Sequence, residues 1–261
     1  MTSNAQSYYR RRDATHFEST LNAQGAWNPH EQHMAPVAGI LSHALESFEA
    51  RDGLRIARVS YEILGVIPEG EFEIVSTMLR PGRTIELVQA ELIAGGRVAV
   101  RATAWRLHTS DTSEVEGVED ARMPGVEQAG PVMDLEKWRG GYIRSIEVRP
   151  LPDHFPGRGR AWLRTPIALL ADEPVSDFVR LMGLVDTSNG IATRVAPGAG
   201  GYAFPNVDLQ VHLYRVPVGE WLGLENAVSF GADGVGLTST VLHDLQGPFG
   251  RAEQILTLRK L

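Results

Sequence analysis

Pro68-Glu-Gly-Glu-Phe72 and Pro217-Val-Gly-Glu-Trp221 share one pattern, P-x-G-E-aromatic, and their prolines are 149 residues apart. Each copy sits between the first and second of four extended runs. Around the first copy the runs cover about 54–67, 71–80, 83–94 and 97–107, with turn pairs at Pro81-Gly82 and Gly95-Gly96. Around the second they cover about 204–215, 219–230, 234–244 and 249–259. In the first of these, Val207, Leu209, Val211 and Leu213 alternate with Asp208, Gln210, His212 and Tyr214. That period of two marks a strand covered on one face.

A helical stripe precedes each set of runs. Met34, Val37, Leu41, Leu45 and Phe48 form the first, with Pro36 in its opening turn, where a missing N–H costs least, and Asp52-Gly53 as the break after it. Val175, Phe178, Met182 and Val185 form the second, with Pro174 near its start and Asn189-Gly190 as its expected stop. Gly198-Ala-Gly-Gly201 reads as a flexible break before the strands. Between the two series, His108 to Met133 holds Asp111, Glu114, Glu116, Glu119, Asp120 and Glu127 with Gly and Pro, and no periodic apolar face. This is a linker composition. The expected organisation is a first repeat over 1–110, an acidic linker over 111–130 and a second repeat over 131–261. A helix followed by antiparallel strands, used twice, is α+β. Both apolar surfaces are buried if each sheet wraps its helix and the two sheets pair edge to edge or back to back.

Composition narrows the function. The 261 residues carry 25 Lys+Arg against 32 Asp+Glu, a net charge of −7, with 43% hydrophobic and 22% charged residues. That balance excludes a disordered chain and argues against a general nucleic-acid binder. With no cysteine, a disulfide scaffold, Cys-ligated zinc and a thiol nucleophile are all excluded. No apolar stretch follows the basic residues of the N-terminus, and runs such as Ile167 to Ala171 are too short to span a bilayer. The expectation is a cytoplasmic protein without a membrane span, with Arg10-Arg11-Arg12 on a solvated terminal face.

Several stretches together resemble a known family. Pro205-Asn-Val-Asp-Leu-Gln-Val-His-Leu-Tyr-Arg215, Gly219-Glu-Trp221, Gly234-Val-Gly236 and Gly250-Arg-Ala-Glu-Gln254 resemble the C-terminal half of acyl-CoA thioesterase II (TesB-like) proteins. Leu79-Arg-Pro-Gly-Arg83 resembles the family's N-terminal repeat. The resemblance implies a double hotdog fold, two sheets each curled around one long helix. It also implies a hydrolytic water held by an Asp, a Ser or Thr, and a Gln. Those roles carry over to Asp208, which opens a D-x-x-x-x-x-x-R strand ending at Arg215, to Ser229, eight residues after Trp221, and to Gln254 on the last strand. With the 149-residue offset, Asp208 falls opposite Val59 and Ser229 opposite Arg80; turn matching puts Gln254 opposite Ala102. None of the three polar groups is duplicated, which implies one site per chain.

The chemistry suits these residue types. A carboxylate can deprotonate or orient a water. A hydroxyl and an amide can fix that water and lower the entropic cost of attack. Gln254 stands in a row with Gly250, Ala252, Leu256 and Leu258, so a polar group there needs a partner. The expected reaction is hydrolysis of an acyl-CoA thioester without a metal or other cofactor. Arg80 and Arg83 are candidates for the coenzyme A phosphates or for pairing with surplus carboxylates. Exposed hotdog sheet edges lead us to expect a homo-oligomer, a dimer or a pair of dimers.

The rival readings are a non-catalytic acyl-CoA or lipid binder and a hotdog hydratase or dehydratase. An Asp208/His212 pair would serve a hydratase, but four residues along a strand separate the two by roughly 13 Å. His30 and His33 have metal-ligand spacing without a third ligand, which favours capping or solvated roles. Asp186-Thr-Ser-Asn-Gly190 reads first as a helix cap and second as a lining of the site.

Overall fold

The computed structural model describes residues 6–136, 138–195 and 201–261. In chain order the first half contains β1 (Ser7–Arg11), β2 (His16–Ser19), α1 (Met34–Ser47), β3 (Leu54–Ile63), β4 (Glu71–Arg80), β5 (Ile85–Ala94) and β6 (Arg97–His108). The second contains α2 (Gly141–Ser145), β7 (Glu147–Pro150), β8 (Arg158–Arg164), β9 (Ala168–Leu170), α3 (Asp177–Val185) and α4 (Ser188–Ile191). These are followed by β10 (Tyr202–Ala203), β11 (Asp208–Leu213), β12 (Leu222–Phe230), β13 (Val235–Asp244), β14 (Gly247–Thr257) and β15 (Arg259–Lys260).

Thirteen strands form one sheet in the order β7-β8-β12-β13-β14-β11-β3-β6-β5-β4-β2-β1-β9. The two repeats therefore meet edge to edge. The seam is β11 against β3, with Val211 opposite Val59 and Leu209 opposite Tyr61, all four buried. One edge of each half's sheet is thus joined within the chain, and β7 and β9 remain as the outer edges. The far edge of the first half is closed by a strand of the second: β9 runs parallel to β1, with Tyr9 opposite Leu170. The fold is α+β, a double hotdog.

The two long helices lie inside the curl of the sheet and run antiparallel. At one end His33, which caps α1, meets Asp186 at the close of α3. At the other end the N-cap of α3, Ser176, donates to the Glu46 carboxylate of α1. Their backbones touch at glycines: a Cβ on Gly39 would lie 3.0 Å from the Gly183 Cα. A stripe of larger residues there would hold the helices apart.

The repeat is visible in the ladders, with one residue of slip from the motif. Gln254 stands opposite Thr238 on β13, and its counterpart Ala104 stands opposite Val88 on β5, an offset of 150. By this register Gln254 corresponds to Ala104 rather than Ala102, Asp208 to Arg58 and Ser229 to Leu79. None of the three is a matching polar group, so the asymmetry between the halves stands. Gly70 and Gly219, the glycines of the shared motif, both adopt positive φ (93° and 85°), as the same strand connection used twice requires.

Three segments depart from the sequence reading. Of the Arg10–Arg12 run, Arg10 and Arg12 are exposed as expected, but Arg11 is half-buried and grips Glu173 with two bonds of 2.6 and 2.8 Å, and Tyr8 and Tyr9 before it are buried in β1. Three strands, β7 to β9, precede the second helix. That helix ends at Val185, and Asn189-Gly190 lies within α4. Of the expected break at Gly198–Gly201, only Gly201 lies among the described residues. The C-terminal part of the acidic stretch packs on the second half. Met123 clusters with Leu151, Trp162 and Trp221, and the Trp162 indole N–H donates to Pro124 O at 2.8 Å. Among the described residues no helix is long and apolar enough to cross a membrane.

Candidate active site

The site is built where α3 stops. Asp186 is the C-cap of α3 and only 4% exposed. A carboxylate there faces the negative end of the helix dipole and is poorly solvated, so the fold must hold it with donors. Two amides do so. Asn206 Nδ2–H and Gln254 Nε2–H both donate to Asp186 Oδ1, at 2.8 and 2.9 Å. The other oxygen, Oδ2, lies 3.5 Å from His33 Nδ1. Burial pushes the Asp186 pKa up from 3.8 to about 6, and the two amide bonds limit the rise.

Each partner is fixed in turn. Asn206 stands two residues before β11 and also donates to Asp208 O at 2.9 Å. Gln254, 1% exposed on the inner face of β14, has its Oε1 2.8 Å from the Ser188 hydroxyl, the first residue of α4. Asn226 on β12 donates to Ser188 O at 2.6 Å. His33 Nδ1 accepts the Ala35 N–H at 3.0 Å, so the neutral ring carries its proton on Nε2. Burial lowers the His33 pKa to about 3, and the ring stays neutral at ordinary pH.

A cavity of about 620 Å³ opens against this group. Asp186, His33, Thr187 and Asn206 are among its polar lining, with Glu31, Asn189 and Arg259 also at its wall; Trp27, Trp138, Phe204, Ile63, Ile143 and Val207 contribute its apolar walls. Trp27 from the first half meets Phe204 from the second edge-on at 5.8 Å. Size and lining match a small-molecule site.

The structure does not bring Asp208, Ser229 and Gln254 together. Gln254 is central. Asp208 lies on the outer face of β11, its carboxylate accepting the Ile255 N–H at 2.7 Å, where it closes the ladder. Ser229 is exposed on the outer face of β12. Strand alternation puts both on the side of the sheet away from the helices. His212 shares that outer face with Asp208. His30 pairs with Glu69 at 2.8 Å, and among the described residues no cluster of three His, Cys, Asp or Glu fits a metal. Arg80 donates to Ile85 O across its own turn. That turn is at the end of β4 away from the cavity-lining Ile67, about 30 Å along the strand.

The sequence reading missed Asp186, Asn206 and His33 as site residues, treating 186–190 first as a cap. The available signal was chemical. An acidic residue directly after an apolar helical stripe sits at the wrong end of the dipole and calls for a reason.

Residues 23–107 match the acyl-CoA thioesterase N-terminal domain, and residues 121–258 match the acyl-CoA thioesterase C-terminal domain. The chain belongs to the acyl-CoA thioesterase family. This thioesterase resembles solved structures over nearly its whole length. A hot dog fold protein of unknown function from Alicyclobacillus acidocaldarius is 14% identical, with a TM-score of 0.74 and 96% of each chain covered. An acyl-CoA thioesterase II from Mycobacterium marinum is 12% identical, with a TM-score of 0.64, covering 97% of this chain and 96% of that one. A TesB protein from Mycobacterium avium subspecies paratuberculosis is 18% identical, with a TM-score of 0.64, covering 96% and 95%. At these identities the solved structures establish the fold; the domain matches establish the thioesterase family. No curated protein matches the chain.

Proposed function

We propose that this thioesterase hydrolyses its acyl-CoA with a water activated by Asp186, held in place by Asn206 and Gln254. The observation that carries the reading is a nearly buried carboxylate at a cavity wall, with one oxygen tied by two amides and the other facing His33. With a pKa of about 6, Asp186 is ionised at neutral pH yet basic enough to take a proton from an attacking water.

The water oxygen bonds to the thioester carbonyl carbon as its proton passes to Asp186, and the carbonyl π electrons move onto oxygen. Two donors suit that oxyanion. The Met34 N–H opens α1 and has no acceptor among the described residues. The His33 Nε2–H belongs to a ring lining the same cavity. Both stand at the positive end of a helix dipole. Collapse re-forms the carbonyl and breaks the C–S bond. The departing sulfur takes the proton from Asp186 and leaves as thiol, or leaves as thiolate while Asp186 passes its proton to solvent. The free acid and coenzyme A result. Arg259 offers a cation to the phosphates beside the cavity.

The close His33–Asp186 approach also invites a hydratase or dehydratase reading. That chemistry needs a basic imidazole nitrogen toward the substrate. Here the Nδ1 lone pair is taken by Ala35 N–H, so the nitrogen facing outward carries a proton and cannot act as base. The deciding experiment is thiol release from a panel of acyl-CoA chain lengths. Asp186→Asn is expected to lose at least about 100-fold in kcat; turnover at the wild-type rate would end the proposal.

A further inference from the structure

Among the buried polar groups that the hydrolytic step leaves unused is Tyr142, which touches the site from both halves of the chain. It is fully buried and stands behind the cavity rather than in its lining. Its ring lies 4.2 Å from the His33 imidazole, centroid to centroid, at 34°. Its hydroxyl is 2.6 Å from Thr187 Oγ1, next to Asp186. It thus touches a first-half residue at the start of α1 and a second-half residue at the end of α3.

The backbone before it is shaped for this contact. A Cβ on Gly141 would lie 1.7 Å from Leu21 O, and one on Gly140 would lie 2.6 Å from Gly25 O. Only glycines allow the chain so close. The Tyr142 N–H donates to Gln24 O at 3.2 Å, and the neighbouring Ala23 O accepts the His33 N–H at 2.8 Å. The segment that carries His33 is therefore clamped from outside by Gly140-Gly141-Tyr142.

We infer that Tyr142 is a positioning residue of the hydrolytic site, its ring fixing the His33 imidazole and its hydroxyl fixing the Thr187–Asp186 turn. The inference rests on the Asp186 reading. The titratable groups facing Asp186 are His33 from α1 and Tyr142 from α2; Asn206 and Gln254 are neutral. Without the tyrosine ring, water reaches His33 and the imidazole regains proton affinity. A cationic His33 beside Asp186 then lowers the carboxyl pKa.

The test compares Tyr142→Leu with Tyr142→Phe, in full-length protein, by kcat and KM from about pH 5 to about pH 9. Tyr142→Leu is expected to lose about 100-fold in kcat, the scale of a misplacement near 1 Å, with KM changed less than about threefold. Its acid limb should move below that of the wild type. Tyr142→Phe keeps the ring and should hold the wild-type limb, but it loses the Thr187 bond and should lower kcat about fivefold. The inference is overturned if Tyr142→Leu keeps wild-type kcat and acid limb. It is overturned equally if kcat falls with no movement of the limb, the mark of a merely structural role. If Tyr142→Leu does not fold, Thr187→Val removes the hydroxyl partner alone; an unchanged kcat there overturns the inference. Asp186→Asn, run alongside, separates the two claims. Its wild-type turnover would defeat the site reading itself, whereas an inactive Asp186→Asn beside unaffected Tyr142 variants defeats only the positioning role.

Discussion

Replacing Asp186 by Asn should abolish hydrolysis and at the same time make the protein more stable at alkaline pH. The folded carboxyl binds its proton more tightly than the unfolded one, because burial raises its pKa from 3.8 to about 6. The protonated form is favoured by folding. Its stabilising contribution is complete below pH 3.8 and is lost as pH rises through about 6. Each tenfold difference in proton affinity is worth about 1.4 kcal/mol, so the ionised group costs the native state about 3 kcal/mol at about pH 8. Asn has no charge to desolvate. Its Oδ1 can accept from Asn206 and Gln254 as Asp186 does, and its Nδ2 can face His33 Nδ1. The His33 contribution is common to both proteins and cancels in the difference. Urea unfolding at about pH 8 should therefore show Asp186→Asn more stable by about 2–3 kcal/mol. For a chain of this size that is a rise in Tm of about 6 °C. At about pH 4 the difference should shrink toward zero. A variant that is less stable at the alkaline pH, or that keeps the same advantage at both pH values, would refute the burial argument.

Other predictions can be checked with ordinary means. The kcat/KM of the wild type should rise with pH through about 6 and then stay level, since Asp186 must be ionised and His33, with a pKa of about 3, adds no limb; a limb absent between about pH 5 and about pH 7 would contradict this. Asn206→Ala and Gln254→Ala should each reduce kcat by roughly 10-fold or more, while Asp208→Asn and Ser229→Ala stay within about twofold of wild type. The reverse ranking would return the site to the outer face of the sheet. Gly39→Ala places a methyl 3.0 Å from the Gly183 backbone. It should cost about 1–2 kcal/mol in denaturant unfolding despite the better helix propensity of alanine; a gain in stability would show that the helices can part freely.

The fold was legible because it repeats. Period-two alternation at Val207–Tyr214, helical stripes at Met34 and Val175, and the doubled P-x-G-E motif are local signals, and local signals survive in sequence. β1, β7 and β9 were missed for the complementary reason. They are five, four and three residues long, too short for periodicity to declare itself, and β9 pairs with a strand about 160 residues earlier. Gln254 was legible as a polar side chain in an apolar row. Asp208 and Ser229 came from the family resemblance, and Asp208 is two residues from Asn206, which the fold uses instead. The convergence of Asp186, Asn206 and Gln254 depends on where α3 ends against β11 and β14, a matter of tertiary geometry. Capping was one of the two roles expected for His33, and it does cap α1; that the capped helix end faces the other half's acid was not written in its spacing.

The seam between β11 and β3, with β9 returning to lie on β1, gives the molecule an unusual relation to its own connectivity. The acidic stretch ties the halves covalently, but the sheet and the half-buried Arg11–Glu173 grip tie them again. Two polypeptides divided near residue 115 would each hold an incomplete set of parts, one with His33 and the other with Asp186, Asn206 and Gln254. With Asp186 as the base and His33 beside it, neither fragment alone is an enzyme, yet together they contain every ladder of the intact sheet. The covalent link is thus one of three ties between the halves, beside the β11–β3 seam and the β9–β1 pairing.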